Sequence, residues 1–413
     1  MSEFNLALAI AGAAVLGMGL YSRPLNRSIF SLPLLAFLIG LVAGPAMIGL
    51  LHPGKWGDEM KILEEATRLT LGVSLMGIAL RIPADFVFRH WRSLAVLLGL
   101  GMPLMCLASS VLAWGFLEVG LLGALLVGAS VCATDPVVAS SIVTGGVAKE
   151  NLPGRFRHTL SAESALNDGL ALPLVMIPIL LLTQSTGSAW TEWVLHVMVW
   201  QVGGSILFGA ALGYAAGWAL RTAEQRGLID QPSFLVTTLA LTLLALGLGK
   251  VLGTDSILAV FATGVAFDQQ VEGQDRAEEA NIQEAVNLFF TLPVFILFGL
   301  MAPVKEWQSL GWSGIGLVVA VLALRRLPFV LLLRPWIERW RDMKVALLAG
   351  WFGPIGVSAL FYALLIHHKT GDEKAWVAGS LLVAASLIVH GVTAAPIGKA
   401  YGRRHDRARR QNE

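Results

Sequence analysis

Ala133-Thr134-Asp135-Pro136-Val137, inside the apolar run 121–144, and Glu163-Ser164-Ala165-Leu166-Asn167-Asp168-Gly169, inside the next run, 157–183, decide how this chain is read. A charged side chain at a bilayer centre costs about 2.5–3.5 kcal/mol on insertion scales, so carboxylates are rare in such runs. Three stand here: Asp135, Glu163 and Asp168. An ionisable group at that depth is by default a functional site. The two runs together read as an ion site.

The rest of the chain supports a membrane setting. Of 413 residues, 55% are hydrophobic and 14% charged, with 44 Gly and a mean hydropathy of +0.69; a soluble chain carries about 25% charged residues. Apolar windows of about 20 residues recur from end to end. They fall near 5–21, 29–51, 66–82, 93–117, 121–144, 157–183, 191–220, 232–252, 255–268, 284–303, 312–333, 342–366 and 375–400. The expected fold is therefore an all-α polytopic membrane protein of about thirteen transmembrane helices.

A net charge of +2 gives no case for a nucleic-acid partner, and most of the excess lies in a tail from Lys399 to Arg410 that reads as a cytoplasmic anchor. The first run, Leu6 to Leu20, lacks a basic leader and a small-residue cleavage site and is expected to be a retained helix. Cys106 and Cys132 both lie in apolar runs, with neither metal-type nor disulfide-type spacing, and read as packing residues. Trp190, Trp193, Trp307, Trp312, Trp336 and Trp340 fall near predicted segment ends, as interfacial anchors do.

Basic residues alternate between loops as the positive-inside rule requires. One set of loops carries Arg23, Arg27, Arg89, Arg92, Lys149, Arg155, Arg157, Arg221, Arg226, Arg276, Arg334, Arg339, Arg341, Lys344 and the tail. The other carries Lys55, Lys61, Lys250, Lys305, Lys369 and Lys374, with Arg68 at a helix end. The bias, about threefold, places the C-terminus in the cytoplasm and, with an odd number of spans, the N-terminus outside a plasma membrane. The long polar connection from Asp268 to Glu284 reads as a solvated loop or short surface helix.

Proline inside a helix removes a donor and clashes with the carbonyl four residues back, so segment five should open at Thr134-Asp135-Pro136. Segment twelve has its own breaker, Gly353-Pro354, in Trp351-Phe352-Gly353-Pro354-Ile355-Gly356. If segments one to six and eight to thirteen are inverted repeats, five and twelve are counterparts whose broken middles cross near the midplane. The chain is then one transmembrane unit: a first repeat in 1–183, a linker helix at 191–220, a second repeat in 232–400 and a basic tail at 401–413. Unwound backbone is tolerated at that depth only where it lines a cavity or packs in protein.

Segment six supplies the chemistry. Ser164 and Asp168 share a helix face at i, i+4, and Glu163 and Asn167 form the adjacent i, i+4 pair. Asp168, Ser164 and a freed carbonyl near Thr134 form an oxygen cluster suited to a small hard cation, and that cluster holds a proton or a cation but not both. Competition at one carboxylate is a complete mechanism of exchange. Glu163, beside Asp168, is expected to pair with a base rather than stand as a second free charge. Arg325 and Arg326 in segment eleven are the candidates, with Arg326 favoured. Asp135 can ligate the ion, but the favoured role is to cap the half-helix that follows it. His390 reads as a packed or hydrogen-bonding residue, and His367 and His368 fall at an outer loop.

With these motifs in hand, the chain resembles the monovalent cation/proton antiporters of the sodium/proton exchanger type, close to their bacterial and fungal plasma-membrane branch. Ala133 to Val137 and Glu163 to Gly169 match the two signature helices, and Gly350-Trp351-Phe352-Gly353-Pro354-Ile355-Gly356-Val357 is similar to the second broken helix. The resemblance covers nearly the whole chain. It implies a homodimer in which a core domain moves against a dimerisation domain, with no cofactor. It implies cation ligation by Asp168, Ser164 and the Thr134 backbone, and a structural pair between Glu163 and an arginine of segment eleven. It also implies, from the Asn167-Asp168 pair, electroneutral exchange.

Two positions depart from the family pattern. Ser74-Leu75-Met76-Gly77-Ile78 carries no acid where some relatives place a glutamate. Ile355 stands where many carry an arginine after the Gly-Pro, leaving the cation of that crossing unassigned. The expected activity is exchange of Na+, with Li+ and K+ as further candidates, for H+. A carrier of a small organic solute is the alternative, and it needs basic groups in its pocket that only Arg325 and Arg326 can supply. An intramembrane hydrolase using a serine with His390 lacks both a Gly-X-Ser-X-Gly elbow and a His-Glu-X-X-His run.

Overall fold

Capping residues, glycine and proline decide where the helices of this chain start and stop. In the computed structural model, residues 2–28, 30–83, 85–135, 138, 151–228, 234–270 and 276–412 are described, and their regular secondary structure is helical throughout. The main helices are α1 Ser2–Leu20, α2 Leu32–Ala43, α3 Glu59–Arg81, α4 Trp91–Phe116, α5 Leu121–Ser130, α6 Gly154–Thr183, α7 Thr186–Gln225 and α8 Phe234–Val251. They continue with α9 Ser256–Asp268, α10 Arg276–Leu300, α11 Gly311–Leu324, α12 Leu327–Leu333, α13 Met343–Trp351, α14 Val357–Thr370 and α15 Glu373–Asn412.

Side chains satisfy the orphan N–H groups at several of these starts. Ser31 Oγ accepts from Leu34 N at α2, with Pro33 in the first turn. Asp58 caps α3 through Lys61 N, and Asp342 caps α13 through Lys344 N and Val345 N. At its C-terminus α14 turns on Gly371, whose φ of +70° is open to glycine at no steric cost.

Eight helical stretches of the described residues, with Gly311–Trp336 taken as one, are long and apolar enough to cross a membrane. The expected windows map onto the helices unevenly. Windows 29–51 and 255–268 hold helices of only 12 and 13 residues, while 191–220 lies inside a 40-residue helix. Segment eleven, read as one span, is interrupted: α11 ends at Leu324 and α12 begins at Leu327, where Pro328 cannot donate to the preceding turn. The polar connection after Asp268 is short, because α10 already begins at Arg276, and residues 271–275 lie outside the described set. So do Pro136, Val137 and the rest of window 121–144 apart from Val138.

Small residues set the helix packing, as they must where lipid removes the hydrophobic drive between helices. Gly209 and Gly213 on α7 let the carbonyls of Ala259 and Thr263 on α9 approach so closely that a Cβ at either position would strike them. The interior is sealed mainly by aliphatic side chains of α3, α5, α6, α9, α10, α14 and α15, with Phe37, Phe295, Phe298 and Tyr362 among its largest members. Cys106 and Cys132 are buried within it as free thiols.

Candidate functional site

Between α5 and the described end of that strand of chain at Asp135, and again between α13 and α14, the backbone is unwound, and the two stretches meet. Asp135 N donates to Pro354 O at 2.9 Å. Neither stretch continues its helix, so carbonyls at the ends of α5 and α13 and N–H groups at the start of α14 must be satisfied inside the protein.

Two charged side chains satisfy these groups. Asp135 Oδ2 accepts from Val357 N at 2.7 Å, placing a carboxylate at the positive start of α14. Asp135 thus caps α14 across the crossing, while the helix start expected to follow it in sequence lies outside the described residues. At the opposite polarity, Arg325 Nη1 donates to Ala133 O at 3.0 Å and also to Val131 O, and Arg325 Nη2 donates to Gly353 O. One guanidinium therefore serves carbonyls of both unwound stretches. Arg325 reaches the crossing from the break between α11 and α12 and supplies the cation that Ile355 cannot.

The space at the crossing is tight. A Cβ at Gly356 would overlap the Asp135 carboxylate. Gly356→Ala is expected to lower stability by about 1–3 kcal/mol, the range for overpacking a filled interior, with a matching fall in melting temperature of the purified protein. An unchanged melting temperature would show that the crossing can relax around the added methyl.

Beside the crossing, Arg326 and Glu163 form a fork-to-fork pair: Nη1 to Oε1 and Nη2 to Oε2, both 2.8 Å, with side chains 4% and 1% exposed. Arg326 Nε also donates to Ala349 O at 3.0 Å, and its guanidinium carbon lies 5.9 Å from the Trp340 ring centroid. Trp340 is fully buried, so it is a packing partner of the ion pair and not an interfacial anchor; Trp312 and Trp336 are exposed.

Asn167 joins the pair to the crossing. Its Nδ2 donates to Glu163 Oε1 at 3.1 Å and to Thr134 Oγ1 at 2.8 Å, while its Oδ1 accepts from Thr134 N at 3.1 Å. Thr134 Oγ1 and Ser164 Oγ lie 3.0 Å apart. Thr134, Ser164, Asn167 and Glu163 are thus locked to one another.

Asp168 is different. It is 3% exposed, and its Oδ1 is buried without a hydrogen-bond partner. Ser358 of α14 approaches the same carboxylate, and its hydroxyl is likewise buried without a conventional hydrogen bond. Tyr362, one turn further along α14, donates its hydroxyl to Asp168 O. Neither α14 residue was legible from pattern; their only signal is position, just after the second break and one helical turn apart. His390 Nε2 donates to Trp351 O at 3.1 Å, its Nδ1 lies 3.0 Å from Ser386 Oγ, and Ser386 Oγ accepts from Ile355 N at 2.8 Å, so His390 braces the second break from α15.

Residues 10–400 match the family described as sodium/hydrogen exchanger, transmembrane. The chain belongs to the sodium/hydrogen exchanger family. A probable Na(+)/H(+) antiporter of Schizosaccharomyces pombe is 32% identical over 425 residues, covering 95% of this chain and 56% of the relative. Na(+)/H(+) antiporter 2 of Zygosaccharomyces rouxii is 33% identical over 397 residues, covering 88% and 49%. The chain thus spans about half the length of these relatives, although it covers 89% of a second Na(+)/H(+) antiporter of S. pombe at 30% identity. A solved sodium proton antiporter of Methanocaldococcus jannaschii superimposes with a TM-score of 0.75 at 18% identity, over 95% of this chain and the whole of that one, which establishes a shared fold.

Proposed function

We propose that this exchanger moves a monovalent cation, Na+ first and Li+ or K+ as further substrates, against H+ across the plasma membrane, with Asp168 as the group that carries each in turn. The observation that carries the reading is the orphaned Asp168 carboxylate. Every other acid at the crossing is engaged, Glu163 by Arg326 and Asp135 by Val357 N, while Asp168 Oδ1 is sealed from water with nothing to hold. A buried charge without a partner is costly, and either a proton or a cation removes that cost. Ser164, Thr134 and Ser358 supply neutral oxygens for a cation that has shed water. Asn167 positions Thr134, and the Glu163–Arg326 pair is structural.

The finer architecture belongs to the same reading: thirteen spans in two inverted repeats, 1–183 and 232–400, a linker helix within α7, a cytoplasmic basic tail and an outside N-terminus. A homodimer fits the wide apolar face of α7, where Leu207, Tyr214 and Trp218 are exposed. The organic-solute alternative loses its premise, because both segment-eleven arginines are already committed to protein acceptors.

Proteoliposomes with an imposed pH gradient test the reading: addition of NaCl, LiCl or KCl should dissipate the gradient, and choline chloride should not. Since one proton replaces one cation at a single carboxylate, the rate should not change when a membrane potential is clamped with valinomycin and K+ in the Na+ assay. A rate that follows the potential would require a second transported charge.

A further inference from the structure

Asp255 is a second sealed carboxylate, on the α8–α9 turn, and the function proposed above gives it no task. It is 6% exposed. Its Oδ1 accepts from Ile257 N at 2.9 Å and Leu258 N at 3.1 Å, which completes an N-cap of α9. Its Oδ2 is buried with no hydrogen-bond partner. Asp58 and Asp342 cap helices in the same manner at exposed positions, where water solvates the second oxygen. A cap needs one oxygen, and Asn serves as well as Asp without bringing a charge into the membrane. The charge of Asp255 is therefore unexplained by capping.

Its surroundings point to a ligand. Asp255 N donates to Gln201 O at 3.1 Å, and Gln201 Oε1 is a second buried acceptor without a partner. Gln201 lies in the π-helical stretch Trp193–Gly203 of α7, a local irregularity that occurs frequently at functional sites. Neither oxygen has a hydrogen-bond partner, and a cation would satisfy such oxygens.

The corner also adjoins the Asp168 site. A Cβ at Gly169 would lie only 2.8 Å from Leu258 Cβ, so α9 packs directly on α6 one residue past Asp168. Leu258 follows Asp255 by three residues, about 4.5 Å along α9. Tyr362 closes the Asp168 side of this contact, its hydroxyl bound to Asp168 O.

We propose that Asp255 Oδ2 and Gln201 Oε1 form a second, weaker station for the transported cation, on the outer side of Asp168, where ions pause between external water and the central carboxylate. This rests on the exchange reading above and on the orientation that places the α8–α9 turn outside. A passage works when each stop binds well enough to replace lost water and weakly enough to release; two oxygens, only one of them charged, meet that requirement.

Asp255→Asn keeps the cap and removes the charge. In right-side-out and everted vesicles, the expected result is a rise of about tenfold or more in half-saturating Na+ at the outer face, with the inner value within about twofold and the melting temperature unchanged. A merely structural Asp255 predicts the opposite pattern, unchanged half-saturation at both faces. A second readout needs no transport. Purified Asp168→Asn protein should still gain thermal stability in NaCl over choline chloride, and Asp168→Asn/Asp255→Asn should not. No Na+-dependent gain in Asp168→Asn overturns the station. A wild-type protein that exchanges nothing would instead overturn the exchange reading.

Discussion

Asp168→Asn is expected to reduce cation-dependent proton movement in proteoliposomes to the level of empty vesicles, while the protein still inserts and elutes as one folded species. The amide cannot take up a proton, and it offers a cation only a neutral oxygen, so both halves of the cycle are lost together. The folded state should survive for a reason visible in the structure. Asp168 has no cationic partner among the described residues, so neutralising it leaves none of their charges stranded. Removing an unpaired buried charge is neutral or stabilising, and the melting temperature should stay level or rise. Dye dequenching measures the first effect and thermal unfolding the second. Retained exchange in this variant removes the central claim, since competition at one carboxylate is the whole mechanism.

Arg326→Met should show the reverse signature. Glu163 is 1% exposed, and both of its oxygens take their charged hydrogen bonds from Arg326. Breaking such a pair from one side costs about 3–5 kcal/mol, a large part of what holds a typical domain together, so the variant should be recovered poorly or melt far below the parent. Adding Glu163→Gln to the same chain removes the stranded charge and keeps an acceptor for Asn167 Nδ2. Much of the stability should return, and with it some exchange, because the Asp168 carboxylate is untouched. The double-mutant cycle isolates the pair. If Glu163→Gln/Arg326→Met folds well but is transport-dead, Glu163 belongs to the ion path and not to the scaffold.

A good deal of this was legible before any coordinates, because a membrane penalises charge and broken backbone so heavily that each instance is conspicuous. Asp135, Glu163 and Asp168 stood out against apolar runs, and Gly353-Pro354 marked the second break. The i, i+4 spacing put Ser164 with Asp168 and Asn167 with Glu163. Asp255 escaped notice for the same reason in reverse: it is the first residue of the window 255–268, where an acid looks like an ordinary helix-end residue. Trp340 was misplaced because tryptophan near a segment end reads as an anchor whether it faces lipid or an arginine.

By itself, then, the sequence determined the membrane setting, the helical class, the break at Gly353-Pro354 and the three acids set within apolar runs, since these depend on local composition and on helix periodicity. Only the tertiary structure decided who partners whom. Arg325 and Arg326 are adjacent and chemically identical, and the helix break between α11 and α12 sends one to the carbonyls of the crossing and the other to Glu163. Asp135 serves Val357, more than two hundred residues away, and Ser358 and Tyr362 reach Asp168 from α14. Such pairings are set by how helices pack in three dimensions, and no spacing along a single helix encodes them.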